Sequence, residues 1–345
     1  MQIGPGSITL GSIRHFLNTY DWSRPELQAL IDDARLLKES PYGDALAGKT
    51  IVLLFLNNSL RTRTSFDVGA QQLGGHAVVL SPSGGMWPLE FEEGAVMLDD
   101  AEEHVQEAAK VLSRYCDIIG IRAFPKFDDW NEDRKDKILT AFAEHADVPV
   151  INMETITHPC QEMAHVMALQ ERLGPLDGKK FLLTWSYHPK PLNTAVANSA
   201  LMIAAKFGME VTLLCPTEDY LLDSRYMGAA ITAAGENGRA VTVTHDPAVG
   251  YENADVVYAK SWGALPYYGD WGAEKEIRDR YRHFIVDKKK MALTNKALVS
   301  HCLPMRRNVI MTDAVFDGPN CIAYDEAENR LHVQKAIMKK LVGVD

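Results

Sequence analysis

Residues 181 to 215 open on Phe181-Leu182-Leu183-Thr184-Trp185 and close on Val211-Thr212-Leu213-Leu214-Cys215. Both ends are short apolar runs of strand length, and between them Val196, Ala200, Ile203 and Phe207 recur at i, i+4, i+7 and i+11, one face of a helix. Strand, helix and strand in that order imply parallel pairing, because the helix carries the chain back across the sheet before the next strand starts. The layout that leads into the first of these strands occurs twice. A polar helical stretch from Leu27 to Lys38 runs through Leu46-Ala47-Gly48-Lys49 into the apolar Ile51 to Leu56. Likewise Cys160 to Leu173, with Met163, Val166 and Met167 on one face, runs through Leu176-Asp177-Gly178-Lys179 into Phe181 to Trp185. Each half therefore opens its own sheet.

Outward from that core, short apolar strands are expected at Val241 to Thr244, Asp255 to Ala259, Leu298 to Cys302 and Cys321 to Tyr324, alternating with polar helical stretches. Ala327, Leu331, Met338 and Leu341 share a face in a terminal helix. The reading is α/β: two doubly wound α/β domains with parallel sheets, 1–153 and 154–325, and a C-terminal helix, 326–345, packing back on the first domain. No low-complexity linker separates the halves. A length of 345 residues suits two cores of ordinary size.

Composition narrows the function classes. Apolar residues at 46% and charged residues at 24% describe a folded chain rather than a disordered one. A formal net charge of -10 repels polyanions, so no nucleic-acid partner is expected, and an anionic ligand needs a local basic cluster. Five widely spaced cysteines without a Cys-x-x-Cys pair support neither a disulfide framework nor a zinc site, which fits the reducing cytoplasm. No export signal and no apolar run near the length of a membrane span is visible, so no membrane partner is expected.

One motif misleads. Gly43-Asp44-Ala45-Leu46-Ala47-Gly48-Lys49-Thr50 matches the nucleotide P-loop letter for letter, yet a helix precedes it and a strand follows, the reverse of the order that aims helix amides at phosphate. The stretch after the first strand has the right order: Asn57-Asn58-Ser59-Leu60-Arg61-Thr62-Arg63-Thr64-Ser65-Phe66, with Ala70 and Leu73 in helical phase with Phe66. Ser59 as N-cap, the free amides of a first turn and the fork of Arg61 make a phosphate or carboxylate site, unless the turn is only a capped helix with solvated arginines. Three more clusters lie at strand ends, where ligands gather in open α/β sheets. They are Arg122 with Phe124 and Pro125; Glu154, His158 and Gln161 after Val148 to Asn152; and His301-Cys302-Leu303-Pro304-Met305-Arg306-Arg307. His158 and His165 lack a metal-ligand pattern, and adjacent His301 and Cys302 would face opposite sides of a strand. Trp87-Pro88, flanked by glycines, reads as an exposed loop able to reach a ligand or a neighbouring subunit.

With these residues assembled, the chain resembles the aspartate/ornithine carbamoyltransferase superfamily from about Ile13 to Leu341. Ser59-Leu60-Arg61-Thr62 is similar to its carbamoyl phosphate loop, His158-Pro159-Cys160-Gln161 to its H-P-x-Q motif and His301-Cys302-Leu303-Pro304 to its H-C-L-P motif. Within it the closest likeness is to the branch that carbamoylates N-acetylated ornithine. That likeness rests on Trp87-Pro88 with Glu90-Phe91, Arg122 to Phe127, His188-Pro189-Lys190-Pro191-Leu192-Asn193, and Lys260-Ser261-Trp262-Gly263-Ala264-Leu265-Pro266. The resemblance implies a cofactor-free cytoplasmic homotrimer. It implies carbamoyl phosphate contacts from Ser59, Leu60, Arg61, Thr62, Arg122, His158, Gln161, Cys302, Leu303 and Arg330, and from Trp87 of an adjacent subunit. Arg61, Arg122, His158 and Cys302 would be the catalytic group, and Glu154, Asn193, Lys260 and Leu303 would hold acetylornithine. Glu102 matches the position that separates acetyl from succinyl substrates. Two positions depart from the pattern: Ile310, where relatives carry a lysine described as carboxylated, and Leu60, where methionine is usual. Other readings are an ornithine or succinylornithine carbamoyltransferase, or a silent carbamoyl phosphate-binding homologue.

Overall fold

The computed structural model describes residues 13–82 and 86–343. They form two compact units: the first takes 13–82, 86–125, 131–160 and 329–343, the second 126–130 and 161–328. Among the described residues no helix is long and apolar enough to cross a membrane.

The first unit is a four-stranded sheet of β1 (Thr50–Phe55), β2 (His76–Leu80), β3 (Ile118–Arg122) and β4 (Val150–Glu154), in the order β2-β1-β3-β4. All three pairings are parallel. Both faces of β1 are buried, as in a sheet covered on two sides, and this is why its sequence is a continuous aliphatic run rather than an alternating one. On one face Val52, Leu54, Ile119, Ile121 and Val150 pack with Ala108, Ala109, Leu139 and Phe142. Gly120 sits opposite Leu53 in mid-sheet, and a Cβ there would meet Met153 Sδ at 2.9 Å, so any larger residue would have to push that side chain aside.

The helix Arg24–Glu39 begins in a capping box, Ser23 and Glu26 each satisfying the other's backbone N–H. The P-loop look-alike is a structural bend. Gly48 takes φ +72°, Lys49 Nζ pairs with Asp117 Oδ1 at 2.9 Å, and Asp117 Oδ2 accepts the Thr50 N–H at 2.9 Å, which pins the start of β1. The end of the long C-terminal helix, Ala323–Leu341, also belongs to this unit. Lys335 Nζ donates to the Leu37 and Pro41 carbonyls, each at 3.0 Å, and to Gln72 Oε1 at 2.9 Å. Lys339 Nζ reaches Asp33 at 2.9 Å.

The second unit is a five-stranded parallel sheet of β5 (Lys180–Trp185), β6 (Glu210–Leu214), β7 (Val241–Thr244), β8 (Val256–Lys260) and β9 (Leu298–Ser300), in the order β9-β8-β5-β6-β7. The helix Ala195–Lys206 between β5 and β6 is buried along almost its whole length, which explains its alanine-rich, nearly uncharged sequence.

Several expectations need correction. Cys321 to Tyr324 is no strand: a single bridge joins Cys321 to Val299, and the terminal helix has begun by Ala323. Leu298 to Cys302 ends as a strand at Ser300, and the strand placed at Val148 to Asn152 runs from Val150 to Glu154. The units change over after Cys160 and Glu328, not after Met153 and Asp325. The first shift arises because Asn152 Nδ2 donates to Thr155 Oγ1 and Thr157 Oγ1, each at 3.0 Å, and to the Leu17 carbonyl at 2.9 Å, which binds the loop to the first sheet. The second arises because Glu326 is bonded to Ser300 of β9, whereas Asn329 Oδ1 accepts from Lys38 Nζ at 2.8 Å. Residues 126–130 belong to the second unit through aromatic packing. Phe127 stacks on Tyr268, Trp271 Nε1 donates to the Phe127 carbonyl at 2.8 Å, and Trp130 Nε1 donates to Asp223 at 2.7 Å.

Candidate active site

In the first unit the turn after β1 carries the residues of the predicted anion site. The helix Arg61–Gln72 starts with Leu60 already in helical φ/ψ, and Ser59 supplies the side-chain cap, its Oγ accepting the Thr62 N–H at 3.1 Å. The loop is held from both sides. Asn57 Oδ1 accepts the Phe124 N–H at 2.6 Å, and Arg122 donates to the Asn58 carbonyl at 3.3 Å. Arg330, from the terminal helix, donates to Thr62 Oγ1 at 2.5 Å. Arg61 is half-buried, whereas Arg63 is exposed, so the solvated-arginine reading holds for Arg63 alone. Leu60 is 77% exposed.

Arg122 ends β3 and Glu154 ends β4, and parallel pairing sets them side by side, Arg122 hydrogen-bonded to Glu154 Oε2. The same carboxylate lies 3.6 Å from His158 Nε2, and the Arg122 guanidinium lies over the Phe124 ring, 4.5 Å from its centroid. Glu154 occupies φ +148°, a region non-glycine residues rarely enter, and its N–H donates to Asn152 Oδ1 at 2.9 Å. Burial lowers the pKa of the Arg330 guanidinium; Cys160 and Glu154 oppose that shift, while Arg122 and Arg61 add to it. The arrangement is three guanidinium groups and a helix N-terminus answered by one carboxylate, a local basic site on an acidic chain.

In the second unit Gln161 is buried on the first turn of the helix Pro159–Leu173 and donates to Glu326. Asn193 Oδ1 accepts the Ala195 N–H at 3.1 Å, and Lys260 is the last residue of β8, buried there. Cys302 is buried just past β9. Leu303 takes φ +55° ahead of a cis peptide to Pro304, and its N–H donates to His301 Nδ1 at 2.9 Å. His301 thus helps shape the backbone here. Ile310 is buried, its N–H donating to the Arg306 carbonyl at 3.0 Å.

Two predicted residues stand apart from these clusters. Trp87 is 57% exposed and forms no hydrogen bond or ring contact among the described residues; its neighbours 83–85 lie outside them. Glu102 is exposed beside a shallow cavity with Met97 and His104.

Sequence reasoning missed Asn152, whose amide organises the Glu154 loop, and the pair His188 and Arg306. Arg306 Nε donates to His188 Nε2 at 3.0 Å, and His188 Nδ1 lies 2.8 Å from the Lys190 carbonyl and 3.0 Å from the Lys190 N–H. Burial lowers the pKa of His188; the Lys190 carbonyl opposes the shift, and Arg306, Lys260 and Arg278 add to it. His188 and Arg306 stand inside motifs already singled out, but nothing in the spacing joins residues so far apart in the chain.

Two family models match this chain: aspartate/ornithine carbamoyltransferase, carbamoyl-P binding domain, over residues 14–171, and the Asp/Orn binding domain over residues 192–341. The chain belongs to the aspartate/ornithine carbamoyltransferase family. It is 64% identical over 334 residues to the N-acetylornithine carbamoyltransferase of Xanthomonas campestris pv. campestris, covering 96% of this chain and 98% of that enzyme. Identity with the N-succinylornithine carbamoyltransferase of Bacteroides fragilis is 38% over 296 residues, covering 85% and 87%. A crystal structure of acetylornithine transcarbamylase complexed with acetylcitrulline matches with a TM-score of 0.95 at 64% identity, over 96% of this chain and 100% of that one.

Proposed function

We propose that the chain transfers the carbamoyl group of carbamoyl phosphate to the δ-amine of N-acetyl-L-ornithine, giving N-acetyl-L-citrulline and phosphate. It does so without a cofactor, as a cytoplasmic homotrimer in arginine biosynthesis. The observation that carries this reading is the guanidinium cluster around Thr62, Glu154 and His158 in a chain so close in sequence to N-acetylornithine carbamoyltransferases.

The amine lone pair attacks the carbonyl carbon, the carbon–oxygen bond to phosphate breaks, and the surplus amine proton passes to the departing phosphate. No covalent enzyme intermediate is needed, so placement and charge do the catalysis. In the first unit Arg61, Thr62, Arg330 and the amides at Ser59 and Leu60 take the phosphate and stabilise its growing charge. Arg122 and His158 polarise the carbonyl oxygen, and Glu154 holds both in place and meets acetylornithine. In the second unit Gln161, Cys302 and Leu303 meet the carbamoyl group, while Asn193, Lys260 and the Leu303 carbonyl orient acetylornithine. The first unit is then the carbamoyl phosphate domain and the second the acetylornithine domain, with Trp87 supplied by a neighbouring subunit. Ile310 offers an aliphatic wall that cannot carry a carbamate.

The test is product formation from carbamoyl phosphate with N-acetylornithine, N-succinylornithine and ornithine offered separately. The expected outcome is acetylcitrulline alone. Succinylcitrulline or citrulline as main product would reassign the acceptor, and ligand binding without turnover of any acceptor would make the chain a silent homologue.

A further inference from the structure

Glu326 carries a carboxylate that is wholly buried in the second unit. Four donors converge on it. Gln161 Nε2 and the Tyr258 hydroxyl reach Oε1, the latter at 2.9 Å, and the Ser300 hydroxyl and His165 Nδ1 reach Oε2, the latter at 2.9 Å. A carboxylate has about four lone-pair directions, so this one is saturated and has nothing to offer beyond holding its donors. Burial raises its pKa, but His165, Ser300 and Gln161 outweigh burial and hold it below the ordinary carboxylate value.

An ionised carboxylate only accepts, so Gln161 must turn its NH2 toward Glu326 and its carbonyl the other way. That carbonyl, Oε1, is buried and has no hydrogen-bond partner among the described residues. A buried acceptor without a donor is disfavoured unless a ligand completes it. Gln161 lies one residue past His158-Pro159-Cys160, on the first turn of its helix, where side chains lean toward the amino end.

We propose that Glu326 is a positioning residue that locks the Gln161 amide with Oε1 as the acceptor for the NH2 of carbamoyl phosphate, so that the protein distinguishes a carbamoyl phosphate from an acyl phosphate of the same shape. This rests on the carbamoyl-transfer reading. Acetyl phosphate replaces the NH2 by a methyl group that cannot donate, and it is blind to the lock. A neutral amide at 326 presents either a donor or an acceptor to Gln161, and the lock is lost.

The experiment compares the wild-type chain with Glu326→Gln, Gln161→Ala, the double variant and Tyr258→Phe. It measures kcat, the KM for carbamoyl phosphate and the Ki of acetyl phosphate as its competitor. Glu326→Gln is expected to raise that KM about tenfold, the effect of one neutral hydrogen bond, while the Ki of acetyl phosphate moves less than about twofold. On the Gln161→Ala background the same change should leave the ratio of KM to Ki where Gln161→Ala put it. Tyr258→Phe removes a donor from the same oxygen without touching Gln161, and should leave the ratio at the wild-type value. If Glu326→Gln fails to fold, Glu326→Asp keeps the charge for His165 and Ser300 while retracting from Gln161, and should move the ratio in the same direction. A KM and Ki that rise together, a Glu326→Gln effect undiminished without Gln161, or a Tyr258→Phe effect of equal size each overturns the inference while leaving the function in place. A wild-type chain that consumes no carbamoyl phosphate overturns the function and the inference with it.

Discussion

Arg122 is the residue on which the proposed chemistry of the first unit turns. It is buried, pinned by Glu154 and by the Asn58 carbonyl, and backed by the Phe124 ring, so its guanidinium is set in place before substrate arrives. Removing one such preorganised donor lowers turnover by about 10²–10³, and we expect Arg122→Ala to lower kcat by that much in steady-state assays. A loss below about tenfold would take it out of the reaction. Glu102 is a different case, an exposed carboxylate whose proposed effect on a succinyl substrate is repulsion. Glu102→Ala should raise kcat/KM for N-succinylornithine by about tenfold or more, the size of one removed like-charge contact, with little change for N-acetylornithine. Competition assays with the two acceptors check this. At this scale the sequence was readable where side chains act next to their own backbone, as at Ser59 and Thr62. It was silent on Asn152 and on the His188–Arg306 pair, whose partners are decided by the fold.

At the scale of elements, the periodicities located the strands and helices well, because strands buried on both faces and a helix buried along its length leave long apolar signals. The strand expected at Cys321 to Tyr324 failed because four apolar residues look alike as a strand or as the entry to a helix. The terminal helix supplies more than packing. Lys335 is fully buried and its ammonium serves three acceptors from two other segments, Leu37 and Pro41 on one side and Gln72 on the other. Burial lowers its pKa to about 8. Lys335→Met keeps the apolar stem but leaves those acceptors unanswered, and should cost about 1–3 kcal/mol, read as a lower urea midpoint. Loosening this helix also loosens Arg330, so carbamoyl phosphate affinity should fall in parallel.

For the molecule as a whole, stability should follow histidines kept neutral by burial. His15 Nδ1 accepts the Val150 N–H at 3.0 Å at the start of β4, and burial lowers its pKa from 6.5. The folded chain therefore binds fewer protons than the unfolded chain just below pH 6.5, and stability must fall as pH drops through that value toward the lowered one. His188, lowered by burial, acts in the same direction. Urea midpoints should decline from about pH 7 toward pH 5, and His15→Gln should flatten part of the decline. A midpoint that rises on acidification would contradict a buried neutral His15. The overall charge of -10 is consistent with the proposal that a phosphate is drawn to the arginine cluster, since the rest of an acidic chain repels it.

By itself the sequence determined the α/β class, the repeated helix–turn–strand opening and the location of the charged turns, because hydrophobic period and turn chemistry are local and survive in one dimension. Its motifs named Ser59, Arg61, Thr62, Arg122, His158 and Gln161 in order along the chain. Only the tertiary structure decided that Arg330 comes back to Thr62, that Glu154 is strained between Arg122 and His158, and that Glu326 dictates which way the Gln161 amide faces. These outcomes depend on which strands pair and where a distant helix returns. Parallel pairing joins residues separated by whole crossovers, so their meeting is a property of the packed sheet and not of any stretch of sequence.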